Sequence, residues 1–135
     1  MNLDFIRADE AEQKMKDLVE TLGWDHINTE FVRCVFSKNS TSRALARIWS
    51  TPRIFTAAFN SSPKYVIELL YSKYLNLNED DKVKVLIHEL LHIPKTFSGA
   101  LKPHIEMNPT LDCKRVDEWY RQYRELKQNN YINRL

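Results

Sequence analysis

Cysteine is scarce in this chain: Cys34 and Cys113 are the only two among 135 residues, and they lie far apart. The absence of a CxxC pair excludes a zinc ribbon and favours two reduced thiols in an intracellular protein. No run of 18 apolar residues occurs, so a membrane-spanning helix is not expected. The first residues lack a basic segment followed by an apolar run, and the sequence therefore predicts a cytoplasmic protein without a secretory signal.

The length fits one domain, residues 1–135, in which residues 129–135 are expected to form a flexible tail. The net charge of +2 is unevenly spread, because acids dominate residues 1–30 and bases dominate residues 31–75. The bases of the second range are Arg33, Lys38, Arg43, Arg47, Arg53, Lys64 and Lys73. Such a set could bind nucleic acid or an acidic substrate, although the solvated side of a sheet is its more ordinary interpretation.

The hydrophobic pattern predicts an α+β fold. Apolar residues at the helical period indicate an amphipathic helix over residues 9–22, which Gly23 is placed to end. Strands are expected over four short segments that are rich in β-forming residues or alternate in polarity, and the sheet is expected to be small and mostly antiparallel. These segments are residues 31–36, 43–49, 53–59 and 65–70.

Two further helices are predicted in the second half of the chain. Asn78 is a good N-cap, and the acidic residues after it suit the positive end of a helix dipole. This helix is expected to run to about Ile93, because Pro94 cannot extend the hydrogen-bond ladder. A loop with Gly99 as its turn residue follows, and a final helix starts near Asn108, with Pro109 at the favoured first position.

The helix that begins after Asn78 carries the most informative stretch of the chain, His88-Glu89-Leu90-Leu91-His92, an HExxH pattern. Histidines four residues apart on a helix lie one turn apart on the same side, so both can reach one zinc ion. Glu89 is then placed to act on a metal-activated water. The aliphatic neighbours of these residues predict a buried helix, in which three ionisable groups would be costly without a metal to pair them.

A catalytic zinc usually takes three protein ligands, so a third must come from outside this helix. His104 is the predicted ligand, because the loop before it contains Gly99 and Pro103 and can fold back. Glu106, Asp112 and Glu118 are the alternatives.

The spacing after the motif differs from that of metzincins, since Lys95 and Ser98 stand where their pattern has glycine and histidine. His26 has no neighbour in sequence that could share a metal, and is expected to be structural or exposed.

The segment KVLIHELLHIPKTFSG at residues 84–99, followed by KPH at 102–104, resembles a family of metallopeptidases found in phages and archaea. The segments at residues 43–49 and 65–68 resemble it too. More remotely, the chain is similar to SprT-like minimal zincins, in which a strand-rich half precedes the HExxH helix, although Pro94 directly after the motif departs from their pattern.

The resemblance implies one zinc per chain with His88, His92 and His104 as ligands and Glu89 as general base. The predicted function is hydrolysis of peptide bonds, with residues 65–70 as an edge strand that aligns the substrate. Tyr65, Tyr71 and Tyr120 are candidate donors to the oxyanion. The alternatives are a DNA-associated protease that uses the basic set, and a non-catalytic module that zinc stabilises.

Overall fold

The computed structural model describes residues 4–103 and 109–133, and only the backbone of residues 109–112. It confirms the α+β class. The elements in chain order are β1 (Asp4–Arg7), α1 (Asp9–Leu22), β2 (Val32–Lys38), β3 (Ala46–Ser50), α2 (Arg53–Phe59), β4 (Tyr65–Leu70), α3 (Tyr71–Leu75), α4 (Glu79–Leu90) and α5 (Pro109–Asn133). No helix in this part of the chain is long and apolar enough to cross a membrane.

The four strands form one mixed sheet in the order β1-β2-β4-β3. The two outer pairs, β1 with β2 and β3 with β4, are antiparallel as expected, but the central pair of β2 and β4 is parallel. The parallel pairing arises because the chain between β2 and β4 passes through β3 and α2 before it returns. Strand β3 therefore lies at an edge of the sheet, and β4 lies inside it.

The core lies between one face of the sheet and helices α1 and α4. Alternate residues of the inner strands, such as Cys34 and Ile67, are fully buried on this face, and Met15 and Leu86 cover them from the helices. The prediction for α1 is confirmed, and Gly23 ends it in the left-handed region at a φ of 66°. Helix α4 is thus anchored in the core through buried apolar side chains such as Leu86.

Several boundaries differ from the sequence prediction. The expected strand over residues 53–59 is wrong: this segment is helix α2, which follows Pro52 and ends at Asn60 in the left-handed region. Strand β1 and helix α3 were not anticipated. Helix α5 continues through Asn133, so residues 129–133 of the expected tail are helical.

Candidate active site

Helix α4 carries His88 and Glu89, the first two of the three fixed residues of the HExxH pattern. Its N-cap is confirmed, since the Asn78 side chain accepts a hydrogen bond of 2.8 Å from the backbone N–H of Asp81. The helix ends at Leu90, three residues earlier than expected, and the N–H of His92 bonds to the carbonyl of Glu89 at 3.1 Å. The last turn is thus tightened to the i→i−3 form, and His92 lies just beyond the helix.

The two histidines nevertheless lie next to each other. The centroids of the His88 and His92 rings are 5.3 Å apart. Between them in sequence, Glu89 is only 6% exposed, and its Oε1 lies 3.9 Å from Nδ1 of His88. Two imidazoles and a buried carboxylate therefore share one small region at the end of α4.

A backbone carbonyl contacts the ring of His92. Nδ1 of His92 lies 2.5 Å from the carbonyl oxygen of Lys102. A carbonyl oxygen can only accept a hydrogen bond, so Nδ1 is the donor in this contact. Metal-bound histidines in proteins usually have such a partner on their other nitrogen, so this geometry suits a metal ligand.

The loop that supplies this carbonyl is held back against the end of α4. The N–H of Lys102 donates to the carbonyl of His92 at 2.7 Å, so the two residues are joined twice. Gly99 is the turn residue as predicted, with a φ of 91°, and a Cβ at this position would lie 3.3 Å from Cβ of Pro63. The loop thus passes close to the sheet end on its way to His92.

The hydroxyl of Tyr65 holds the same loop from the sheet. It accepts a hydrogen bond of 2.8 Å from the N–H of Gly99 and donates one of 2.9 Å to the carbonyl of Ala100. Burial raises the pKa of Tyr65, while the hydrogen bond from Gly99 acts in the opposite direction. Of the other tyrosines predicted as oxyanion donors, Tyr120 donates its hydroxyl to Asp80 and Tyr71 stacks edgewise on Phe36.

A cleft of about 320 Å³ opens beside Glu89 and His92. The other lining residues are Ala46, Arg47, Ile48, Trp49 and Leu101. Consecutive residues of β3 point to opposite faces of the sheet, so a cavity that touches four of them in a row lies along the free edge of the strand. The expectation that residues 65–70 form the edge strand at the site is wrong, because β4 is paired on both sides and β3 holds that place.

The predicted third ligand, His104, and its alternative Glu106 lie outside the described residues, as does the side chain of Asp112. Within the part of the chain that the structure describes, no three His, Cys, Asp or Glu side chains form a group that could hold a metal, so Glu118 does not complete one with the two histidines.

His26 is half-buried, as expected for a structural residue. Burial lowers the pKa of His26, and the positive charges of Lys102 and Lys95 lower it further. His26 is therefore close enough to the loop of residues 94–103 to respond to the charges of its lysines.

A cluster of polar side chains near the cleft escaped the sequence analysis. Glu68 is 2% exposed and accepts hydrogen bonds from Nη2 of Arg47 at 3.1 Å and from Nε1 of Trp49 at 2.8 Å. Burial alone would raise the pKa of Glu68, but the hydrogen bond from Arg47 and the others it accepts lower it below its usual range. The sequence did contain a signal for this cluster: Glu68 is the single acid in an apolar strand, and Arg47 and Trp49 lie two positions apart on another strand.

The basic set of residues 31–75 makes contacts within the protein. Besides Arg47, Arg33 donates to the carbonyl of Glu30 at 2.6 Å and Lys73 donates to the carbonyl of Ser42 at 2.9 Å. Nucleic-acid binding by this set stays a prediction.

Comparison with known proteins identifies the family of this chain. A search of curated proteins and a search of solved structures each returned no match. The family model described as "Putative phage metallopeptidase" matches residues 3–135, which is nearly the whole chain. The protein therefore belongs to this family.

Proposed function

We propose that the protein is a zinc-dependent peptidase in which His88, His92 and His104 hold one zinc ion and Glu89 is the general base. The observation that carries this proposal is the contact of 2.5 Å between Nδ1 of His92 and the carbonyl oxygen of Lys102. Nδ1 of His92 donates to the carbonyl of Lys102, as metal-binding histidines usually do through the nitrogen that does not bind the metal, and the His92 ring lies beside that of His88.

The donor set fits zinc. Imidazole nitrogens are favoured zinc ligands, and the described histidines are adjacent at the end of α4. The third ligand is assigned to His104, because the loop brings the chain to His92 at Lys102, two residues before position 104. Three protein ligands would leave a position for water or substrate, as in catalytic rather than structural zinc sites.

Glu89 is placed for proton transfer. When bound, the zinc ion supplies Lewis acidity to the attacking water and to the substrate carbonyl. Glu89 accepts the proton of the attacking water and delivers it to the nitrogen of the leaving amine. Its carboxylate is buried and yet lines the cleft, so a substrate bound in the cleft would meet it.

The substrate in this proposal is an extended polypeptide. The cleft follows the free edge of β3, where a peptide in strand conformation can pair with the backbone of residues 46–50. Such pairing uses main-chain groups, and it brings a substrate carbonyl alongside Glu89 and His92.

The replacement Glu89→Gln tests the chemical role. The variant keeps the shape of the side chain but cannot accept the proton, so we expect hydrolysis of a denatured protein substrate to fall about a thousandfold. Zinc content should stay at one ion per chain, because Glu89 is not a ligand. Metal analysis and a cleavage assay on the same preparation measure both quantities.

Glu12→Gln is the matched control, since Glu12 is equally buried at 6% but binds Arg7 and the N–H of Cys34 away from the cleft. It should retain hydrolysis. Loss of zinc in Glu89→Gln, or unchanged cleavage, contradicts the assigned role. A wild-type chain that binds zinc tightly and cleaves nothing would instead identify a non-catalytic module.

A further inference from the structure

Trp49 is an unusually exposed aromatic side chain for one that is anchored by a hydrogen bond. It is 55% exposed, yet its Nε1–H donates to Oε1 of Glu68 at 2.8 Å. The polar edge of the indole is thus directed toward the sheet, and the apolar ring surface is left at the cleft that also contains Glu89 and His92.

Glu68 and Arg47 fix the position of this ring. Arg47 stands directly opposite Glu68 across the β3–β4 pair, and its Nη2 donates to Oε2 of Glu68 at 3.1 Å. The guanidinium carbon of Arg47 lies 5.7 Å from the centroid of the Trp49 ring. A ring that is held at its edge and on its face presents a pre-organised surface and loses little conformational freedom on binding.

The charges around Trp49 disfavour charged ligand groups. Arg47 already lies against the ring, so its positive charge repels a second cation. The guanidinium of Arg47 is already paired with Glu68 at 3.1 Å, so it is not free to attract a carboxylate of the ligand. Apolar side chains also line the cleft: Leu101 is 40% exposed and Ile48 is half-buried.

We propose that Trp49 is a specificity-determining residue that selects substrates with a bulky apolar or aromatic side chain beside the cleaved bond. The inference rests on the proposed peptidase function and names its substrate class: extended segments rich in large apolar residues, which folded proteins bury and unfolded proteins expose. Glu68 is a positioning residue in this arrangement, since it acts through Trp49 and Arg47.

A binding experiment with the zinc-loaded, full-length Glu89→Gln chain tests the proposal without turnover. The probes are fluorescent decapeptide mixtures, degenerate except at one central position that is Phe, Leu, Ala, Glu or Lys. By fluorescence anisotropy, we expect the Phe and Leu mixtures to bind about tenfold more tightly than the other three. Adding Trp49→Ala should remove this difference, because the apolar surface is lost.

Phe55→Ala is the matched control, because Phe55 is exposed to a similar degree, 53%, but lies on α2 and does not line the cleft. It should keep the preference for Phe and Leu. A preference that persists in Trp49→Ala, or tightest binding of the Glu mixture, overturns the proposal. If Glu89→Gln binds the Phe and Leu mixtures selectively but the wild type cleaves none of these peptides, the Trp49 site is supported. Only the peptidase function is then contradicted.

Discussion

At the scale of single residues, the carboxylate of Glu68 illustrates how a buried charge is stabilised in this sheet. It lies in an inner strand, 2% exposed, and its partners Arg47 and Trp49 come from the neighbouring edge strand. Because Arg47 is 39% exposed in its side chain, water weakens the ion pair, and the hydrogen bonds contribute much of the stabilisation.

The lowered pKa of Glu68 makes its contribution depend on pH. Since the folded state holds the charged form more firmly than the unfolded state, the stabilisation is complete above the ordinary glutamate pKa of about 4.3 and is lost as the pH falls through the lower folded-state value. At pH 7 we expect Glu68→Gln to reduce the free energy of unfolding by about 2 kcal/mol. Urea unfolding between pH 7 and pH 3 should show this difference shrinking in acid.

The exposed Glu125 provides the comparison, and Glu125→Gln should change stability by less than about 0.5 kcal/mol at pH 7. A deficit in Glu68→Gln that is the same at pH 3 and pH 7 would show that its charge is not what stabilises the sheet.

Residue identity predicted the pattern at the site but not its supporting contacts. The spacing of His88 and His92 implied that their rings would be neighbours, and their centroids are 5.3 Å apart. The carbonyl that orients His92 belongs to Lys102, and any residue type offers a backbone carbonyl, so no sequence pattern could have named it. Contacts through the main chain depend on the path of a loop, which side-chain types alone do not determine.

At the scale of elements, the sequence predicted a helix correctly where its apolar period and its capping residue indicated the same structure. Helix α1 has a 3.6-residue apolar period and a glycine at its end, and its observed bounds match the predicted range of residues 9–22. The prediction for helix α2 was wrong because its Ile, Phe and Thr residues favour a strand by composition. Pro52 before the segment and Asn60 after it fit a short helix instead. It buries no residue, so no periodic pattern marked it.

The loop of residues 94–103 offers an element-scale test through Tyr65. The replacement Tyr65→Phe keeps the buried ring, which stacks on Phe97 with centroids 5.0 Å apart, but removes the hydrogen bonds to Gly99 and Ala100. We expect about 1 to 2 kcal/mol lower stability. Zinc affinity should fall about tenfold, because the loop that orients His92 loosens. Urea unfolding and competition with a chromophoric chelator measure the two effects.

Tyr71→Phe serves as the comparison, since Tyr71 begins helix α3, away from this loop, and packs on Phe36. It should leave zinc affinity unchanged. Lower stability with unaltered zinc affinity in Tyr65→Phe would mean that the hydroxyl supports the fold and not the metal site.

At the scale of the whole molecule, α5 packs against α1 and the residues that follow it. The rings of Trp24 and Trp119 meet edge to face with centroids 5.1 Å apart, and the hydroxyl of Tyr123 donates to Asp17 on α1. The segment between the loop after α4 and the start of α5 contains His104, so a zinc ion held by His88, His92 and His104 would tie the end of α4 to the segment that precedes α5.

This tie predicts a stability that depends on zinc. A ligand that binds only the folded chain adds about 2.7 kcal/mol when its free concentration is one hundred times Kd, which corresponds to roughly 10 °C in Tm for a domain of this size. We expect this shift in the wild type between chelator and zinc, and only a small part of it in His104→Ala at the same zinc concentration. His26→Ala should keep the full shift, since His26 forms no metal-holding group with any other described side chain. An undiminished shift in His104→Ala would move the third ligand to Glu106 or Asp112, and differential scanning fluorimetry of each variant would then identify it.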